Sequence, residues 1–211
     1  MGAQDVAAVW EIPLQKPGVP KLAKAADPAK AGSVSWAVAA TFMQTKRSAD
    51  GLRIRPASRS DWPVIWEIFR SVIKKGDTYA FSPELDEESA HQIWFATGAQ
   101  VFVAEKEGQV AGTFFVKPNQ PGLGSHVANA GFMVDPKLHG VGIGRVMGEF
   151  ALAWAQEQGY RAMQFNFVVS TNTGAVALWK KLGFAIIGTI PRGFRHAHLG
   201  YVDVYVMYRE L

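Results

Sequence analysis

From Leu52 onward, apolar and polar positions repeat with two different periods. "LRIRPA" alternates residue by residue, the mark of a half-buried strand. Ile65, Ile68, Phe69 and Val72 then recur at helical spacing behind Ser60 or Asp61, either of which can cap a helix. "GDTYAFSPELD" interrupts the pattern as a loop, and a second helix is predicted from about Asp86 to Trp94. "VFVAE" and "VAGTFFVK" flank "KEGQ" and form a predicted β-hairpin. After the long turn "NQPGLGSH" comes the strand "VANAGFMV", stopped by Asp135-Pro136. A helix running to Gln158 follows, with Met147, Phe150, Ala151 and Trp154 on its inner face and Gly159 as its terminator. "AMQFNFVV" is a strand. Asn172 can cap a helix that runs through Lys181 and stops at Gly183, and "FAIIGTI" and "YVDVYVMY" are the last two strands. Trp62, Trp66, Trp94 and Trp154 fall on helix faces as core residues. The order β-α-α-β-β-β-α-β-α-β-β predicts an α/β (α+β) fold, with helices packed on a largely antiparallel sheet. No internal repeat is present.

Residues 1–50 read differently. "KPGVPKLAKAADPAKAG" has no steady period and predicts a partly disordered extension, although "VSWAVAATFM" (Val34–Met43) is apolar enough to dock. The expected domain is therefore 51–211. A hydrophobic share of 48% in 211 residues supports a sizeable core. The net charge of +4 suits an anionic ligand, but no Lys/Arg block argues for nucleic acid. Having no cysteine, the chain cannot use disulfides, thiolate nucleophiles or Cys-based zinc sites, which fits a cytoplasmic setting. No apolar run is long enough for a membrane span, and the N-terminus lacks the order of a secretory signal.

The chemistry concentrates in "HGVGIGRVMGEF", starting at His139. Glycines just ahead of a helix let backbone N–H groups turn toward an anion at the helix N-terminus. A Walker loop is excluded because no Lys-Ser/Thr follows. A dinucleotide fold is disfavoured because "DPKLH" separates strand from glycines and no acid occurs between Glu157 and Asp203. Two readings stay open on the glycines alone. One is a pyrophosphate site whose preceding strand pairs with an extended, amide-bearing arm, as coenzyme A would require; the other is a tight turn without a ligand.

"VDPKLHGVGIG" and, farther on, "NTGAVALWKKLGF" (Asn172–Phe184) together resemble the two signature elements of the Gcn5-related N-acetyltransferases. In the first element, His139 stands where Gln or Arg is usual, while Gly142 and Gly144 match. The resemblance covers about Leu52 to Leu211. It implies a mixed sheet with splayed central strands and acetyl-CoA as acetyl donor, with no metal. It also implies that Met133 and Val134 bond the pantetheine arm, and that the segment His139, Gly140, Val141, Gly142, Ile143, Gly144 and Arg145 takes the pyrophosphate. Asn172 and Trp179 would contact the cofactor farther along. "TYAFSPE", "VANAGFMV" and "GFRHAHLGYVD" are similar to segments of the phosphinothricin-type acetyltransferases, which acetylate the amine of an amino-acid-like substrate. The implied partner is a small-molecule amine: an amino acid or analogue first, then an aminoglycoside-like or polyamine substrate. The fold commonly pairs, so a homodimer is a candidate assembly. Protein acetylation and a non-catalytic acyl-CoA-binding module are the rival readings.

Acetyl transfer from a thioester to an amine needs a neutral amine, a donor for the oxyanion and a way to move protons. The family's usual proton donor is a tyrosine where this chain has Trp179, and Asn129 stands where the phosphinothricin-type pattern has a glutamate. Neither replacement can act as the acid or base. Asn129 is therefore a polar candidate at the reacting centre rather than a base. His126, at the entrance of its strand, is a candidate base or a surface histidine. Asn166, mid-strand among apolar residues, is a candidate active-site amide or a core one. His196 and His198, between the last two strands, are candidate acceptor contacts, and Tyr79 and Phe81 either wall the acceptor pocket or simply pack. No metal site is expected from His196 and His198, which have no third ligand close in sequence.

Overall fold

The computed structural model describes residues 51–138 and 140–211. The readings made on residues 1–50 and on His139 lie outside the described residues.

The alternating segments become strands β1 (Leu52–Pro56), β2 (Gln100–Lys106), β3 (Gln109–Pro118), β4 (Val127–Val134), β5 (Ala162–Val169), β6 (Ala185–His196) and β7 (Gly200–Glu210). The helical periods become α1 (Trp62–Ile73), α2 (Glu87–Trp94), α3 (Ile143–Glu157) and α4 (Thr173–Lys181). One sheet of order β1-β2-β3-β4-β5-β7-β6 joins all seven strands. Every neighbouring pair is antiparallel except β4 and β5. This is the mixed, largely antiparallel sheet flanked by helices that the element order predicts. Among the described residues no helix is long and apolar enough to cross a membrane.

Both faces of the sheet are covered, and strand alternation decides which side chain goes where. Phe102, Ala104 and Phe114 pack with Met147 and Ala151 of α3 and Trp179 of α4. Val101, Val103 and Met133 pack with Ile65, Phe69 and Trp94 of α1 and α2. The buried indole of Trp94 donates to Thr113 Oγ1 (3.1 Å), which donates to the Phe102 carbonyl (2.9 Å), so the indole N–H and the threonine hydroxyl are both paired inside the core. Gly148, inside α3, lets α4 approach closely. A Cβ there would stand 2.6 Å from Leu182 Cδ1 and 3.0 Å from Trp179 Cζ3.

The β2–β3 hairpin turns through Glu107 and Gly108, both at positive φ (53° and 82°), the conformation that matches the strands' twist in a two-residue turn. Two elements differ from expectation. Asp61 does not simply cap α1. A 3-10 turn, Arg59–Asp61, precedes the helix, and Ser58 and Asp61 form a capping box around it. The Asp61 carboxylate also takes a two-pronged contact from Arg55, 2.7 Å on each oxygen, and Arg55 Nε reaches Glu105 at 2.7 Å. Arg55 holds the Asp61 carboxyl well below the usual carboxylate range. The other difference is β6, which runs on past "FAIIGTI" to His196. Pro191 has no N–H to donate, and the ladder slips between Ile190 and Phe194. The Asp203 carboxylate takes the Arg192 N–H (2.8 Å) across that slip, with Arg192 at φ 55°, and pairing then resumes.

Candidate functional site

The single parallel pair creates the site. β4 and β5 are in register only at Val127 with Ala162 and Ala128 with Met163. Beyond these pairs the strands part, because β5 bends where its ladder with β7 slips between Phe165 and Val168. Asn129 spans the start of the gap, donating its amide to the Gln164 carbonyl (2.8 Å). Past it lies a cavity of about 400 Å³, a size suited to a small ligand.

The gap exposes one edge of β4, and alternation fixes which residues present it. The Met133 carbonyl faces β3, 3.0 Å from where a Cβ on Gly112 would stand, and the Asp135 N–H donates to Ala111 on the same strand. The N–H and C=O of Phe132 and Val134 therefore point the other way, into the gap. Met133 itself is 1% exposed and packs under α1 and α2. Of the two residues expected to bond an extended arm, Val134 has the outward backbone, and its outward neighbour is Phe132 rather than Met133.

The edge at Phe132 is filled. The Tyr79 hydroxyl accepts from the Phe132 N–H (3.0 Å) and donates to the Phe132 carbonyl (2.8 Å). Burial pushes the Tyr79 hydroxyl well above the ordinary tyrosine pKa, so it remains protonated at neutral pH. Its ring stacks on Phe81 (5.6 Å), which stacks on Phe69 in the core (5.5 Å). Tyr79 and Phe81 thus both pack and line the cavity.

At the glycine run, Gly140 and Gly142 hold φ of 83° and 84°, a backbone that side chains rarely adopt. Gly142 caps α3, and the first N–H groups spent on the helix are those of Arg145 and Val146, both on the Gly142 carbonyl (3.1 and 3.2 Å). The amides of Ile143 and Gly144, ahead of that first bond, remain for an anion. The Arg145 backbone N–H does not, and its side chain lies in solvent near Glu149. Across the gap, Asn172 caps α4 by accepting from the Ala175 N–H (3.2 Å), which leaves its own amide donors over the cavity. Trp179 is 8% exposed and closes the wall between Phe132 and Phe165, with centroids at 4.9 and 4.8 Å.

On the α1–α2 side, Asn166 is no core amide. It bonds Gln164 (2.7 Å) and Asn119 (2.7 Å) at the cavity wall, near Asn129. Lys117, paired with Asn129 across β3 and β4, is the one charged side chain among the described residues lining the cavity, and it lies 5.4 Å from the Phe115 ring centroid. Among the described residues no carboxylate or histidine lines it.

The structure therefore brings together Asn129, Asn166, Asn172, Trp179, Tyr79 and Phe81, but leaves three histidines apart. His126 is exposed at the paired end of β4, beside the Leu123 carbonyl (3.1 Å). His196 ends β6, where its Nδ1 accepts from the His198 and Leu199 N–H groups (3.0 and 3.3 Å) and so closes the turn. None of the three lines the cavity. Phe132, Lys117, Asn119 and Gln164 were not singled out in the sequence. Strand alternation two residues back from Val134 points to Phe132, and a lysine closing the apolar run "GTFFVK" is the signal for Lys117.

The acetyltransferase (GNAT) family profile matches residues 62–184. N-acetyltransferase aca1 of Schizosaccharomyces pombe is 41% identical over 96 residues, 45% of this chain and 46% of that protein. The chain thus matches about half the length of that relative. A GCN5-related N-acetyltransferase structure from Kribbella flavida is 44% identical, with a TM-score of 0.74, covering 78% of this chain and all of that one. A phosphinothricin acetyltransferase from Sinorhizobium meliloti, solved with acetyl-CoA, shares the fold at 21% identity (TM-score 0.68, 76% of this chain and 89% of that one). With the profile spanning more than half of its residues, including the parted strands and the glycine run, the chain belongs to the acetyltransferase (GNAT) family.

Proposed function

We propose that this chain is a cytoplasmic, acetyl-CoA-dependent N-acetyltransferase whose acceptor is a small primary amine carrying a carboxylate, an amino acid or analogue. One observation carries the reading: the parted β4 and β5 leave an open strand edge between a helix N-terminus and an amide-lined cavity. Acetyl-CoA supplies an activated acetyl group. The Ile143 and Gly144 amides suit its pyrophosphate, the Val134 edge and the Asn172 amide suit its pantetheine arm, and the Phe132 N–H suits the thioester oxygen and the charge it gains during attack. Asn129 and Asn166 would orient the acceptor. Lys117 makes the acceptor end cationic, which favours an anionic group there and disfavours a polyamine or aminoglycoside.

Among the described residues the lining offers no carboxylate or histidine to take a proton, which favours an amine that arrives neutral, with much of the rate supplied by holding the two reactants together. The same feature favours a second reading, an acyl-CoA-binding module without turnover. Calorimetric titration with acetyl-CoA, using ATP and NADH as controls, tests the cofactor. Thiol release with a panel of amines then separates enzyme from module. A folded sample that binds no acetyl-CoA would remove both readings.

A further inference from the structure

Building on that reading, we propose that the Tyr79 hydroxyl occupies the position on Phe132 that the thioester carbonyl must take, so acetyl-CoA binds only by displacing it. A single N–H serves one strong acceptor, and the hydroxyl oxygen already holds the Phe132 N–H at 3.0 Å. The geometry permits a partial release. The hydroxyl's proton lies on the Phe132 carbonyl at 2.8 Å, so the oxygen can tilt away from the N–H while that second bond persists.

The loop bearing Tyr79 has reason to yield. Its ring is anchored through Phe81 to Phe69, and the Gly76 carbonyl accepts from Ala197 (2.9 Å), which together set the hydroxyl's reach. Between these anchors, Asp77 Oδ1 and Thr78 Oγ1 are buried with no hydrogen-bond partner among the described residues. Stranded polar atoms make this arrangement costly, and a shift that rewets or pairs them offsets part of the lost Tyr79 bond.

The test compares acetyl-CoA with CoA, which lacks the carbonyl, on the full chain and on Tyr79→Phe. Phenylalanine keeps the ring stack and removes the hydroxyl, both the competing contact on the Phe132 N–H and the bond to the Phe132 carbonyl. Acetyl-CoA should bind Tyr79→Phe roughly three- to tenfold tighter than the parent, the equivalent of one net hydrogen bond, while CoA changes by less than about twofold. Unchanged or weaker acetyl-CoA binding overturns the proposal, as does equal tightening of both ligands. Failure of the parent chain to bind acetyl-CoA is a different result and sinks the acetyltransferase reading itself. Hydrogen–deuterium exchange on the parent keeps the proposal testable if Tyr79→Phe does not fold. Peptides covering residues 76–81 should exchange faster with acetyl-CoA than with CoA, and equal exchange would also overturn it.

Discussion

Lys117→Met is the substitution that bears most directly on the acceptor. Methionine keeps an unbranched apolar stem against Phe115 and removes the one charge among the described residues lining the cavity. Two unit charges about 4 Å apart attract by roughly 4 kcal/mol at an effective dielectric near 20. Desolvation consumes much of that, and a hydrogen bond to a charged group nets about 1.5–3 kcal/mol. Lys117 is only half-buried, so the low end applies, a loss of roughly tenfold in kcat/KM for a carboxylate-bearing acceptor. The assay is thiol release at fixed acetyl-CoA, run with matched pairs: each amino acid and its carboxamide. The parent should favour the acid of each pair, and Lys117→Met should erase the preference by raising KM for the acid while leaving KM for acetyl-CoA alone. The preference should also weaken as salt rises, because the pair is partly exposed. An acid-to-amide ratio identical in parent and variant would refute the reasoning and return the acceptor question to cationic amines.

Four further outcomes are expected. Gly142→Glu should abolish acetyl-CoA binding by calorimetry while leaving a folded protein: nothing lies within 4 Å of a Cβ there, so the damage is a carboxylate at the anion site plus about 1–2 kcal/mol of backbone strain at φ 84°. Asn172→Ala should lose about 1 kcal/mol of stability with the α4 cap and weaken acetyl-CoA, whereas Asn172→Asp should keep the cap and lose only affinity, a split that thermal melts and titrations report separately. With no carboxylate or histidine among the described residues lining the cavity, log kcat/KM for the acceptor should climb with unit slope toward the amine's own pKa, and His126→Gln should leave that profile intact; a plateau near pH 7 would reveal an enzyme base. Asp61→Asn should cost about 2–4 kcal/mol in urea unfolding at pH 7. Because the folded carboxyl is held below its unfolded value near 4, this contribution is complete above about pH 5 and fades as acid protonates it, so parent and variant should converge toward pH 2.

How legible each half of the site is in the sequence follows from which forces build it. The cofactor half is made of backbone, and backbone leaves a residue signature. Glycine takes φ near 84° at 140 and 142 without the strain another residue would bear, and an asparagine at 172 reads as a cap wherever a helix follows. Those positions stand out by residue type and their elements by periodicity, but it is the resemblance to the acetyltransferases that ties them to a cofactor. The acceptor half is made by strands that separate, and separation depends on register. Asn129, Asn166 and Asn119 lie far apart in sequence and converge only because β5 bends away at Phe165–Val168 to follow β7. No local pattern distinguishes such an amide from one buried in a ladder. The same dependence explains Phe132: alternation says it opposes Met133, but only the absence of a partner strand beyond Ala128 turns its outward N–H and C=O into a binding edge. It explains the histidines in reverse. Their chemistry made His126, His196 and His198 attractive, yet one lies at the paired end of β4 and the others close a hairpin that β6 carries past Pro191. Residue chemistry thus marks the glycine end of the candidate site, while the cavity end depends on the register of one parallel pair.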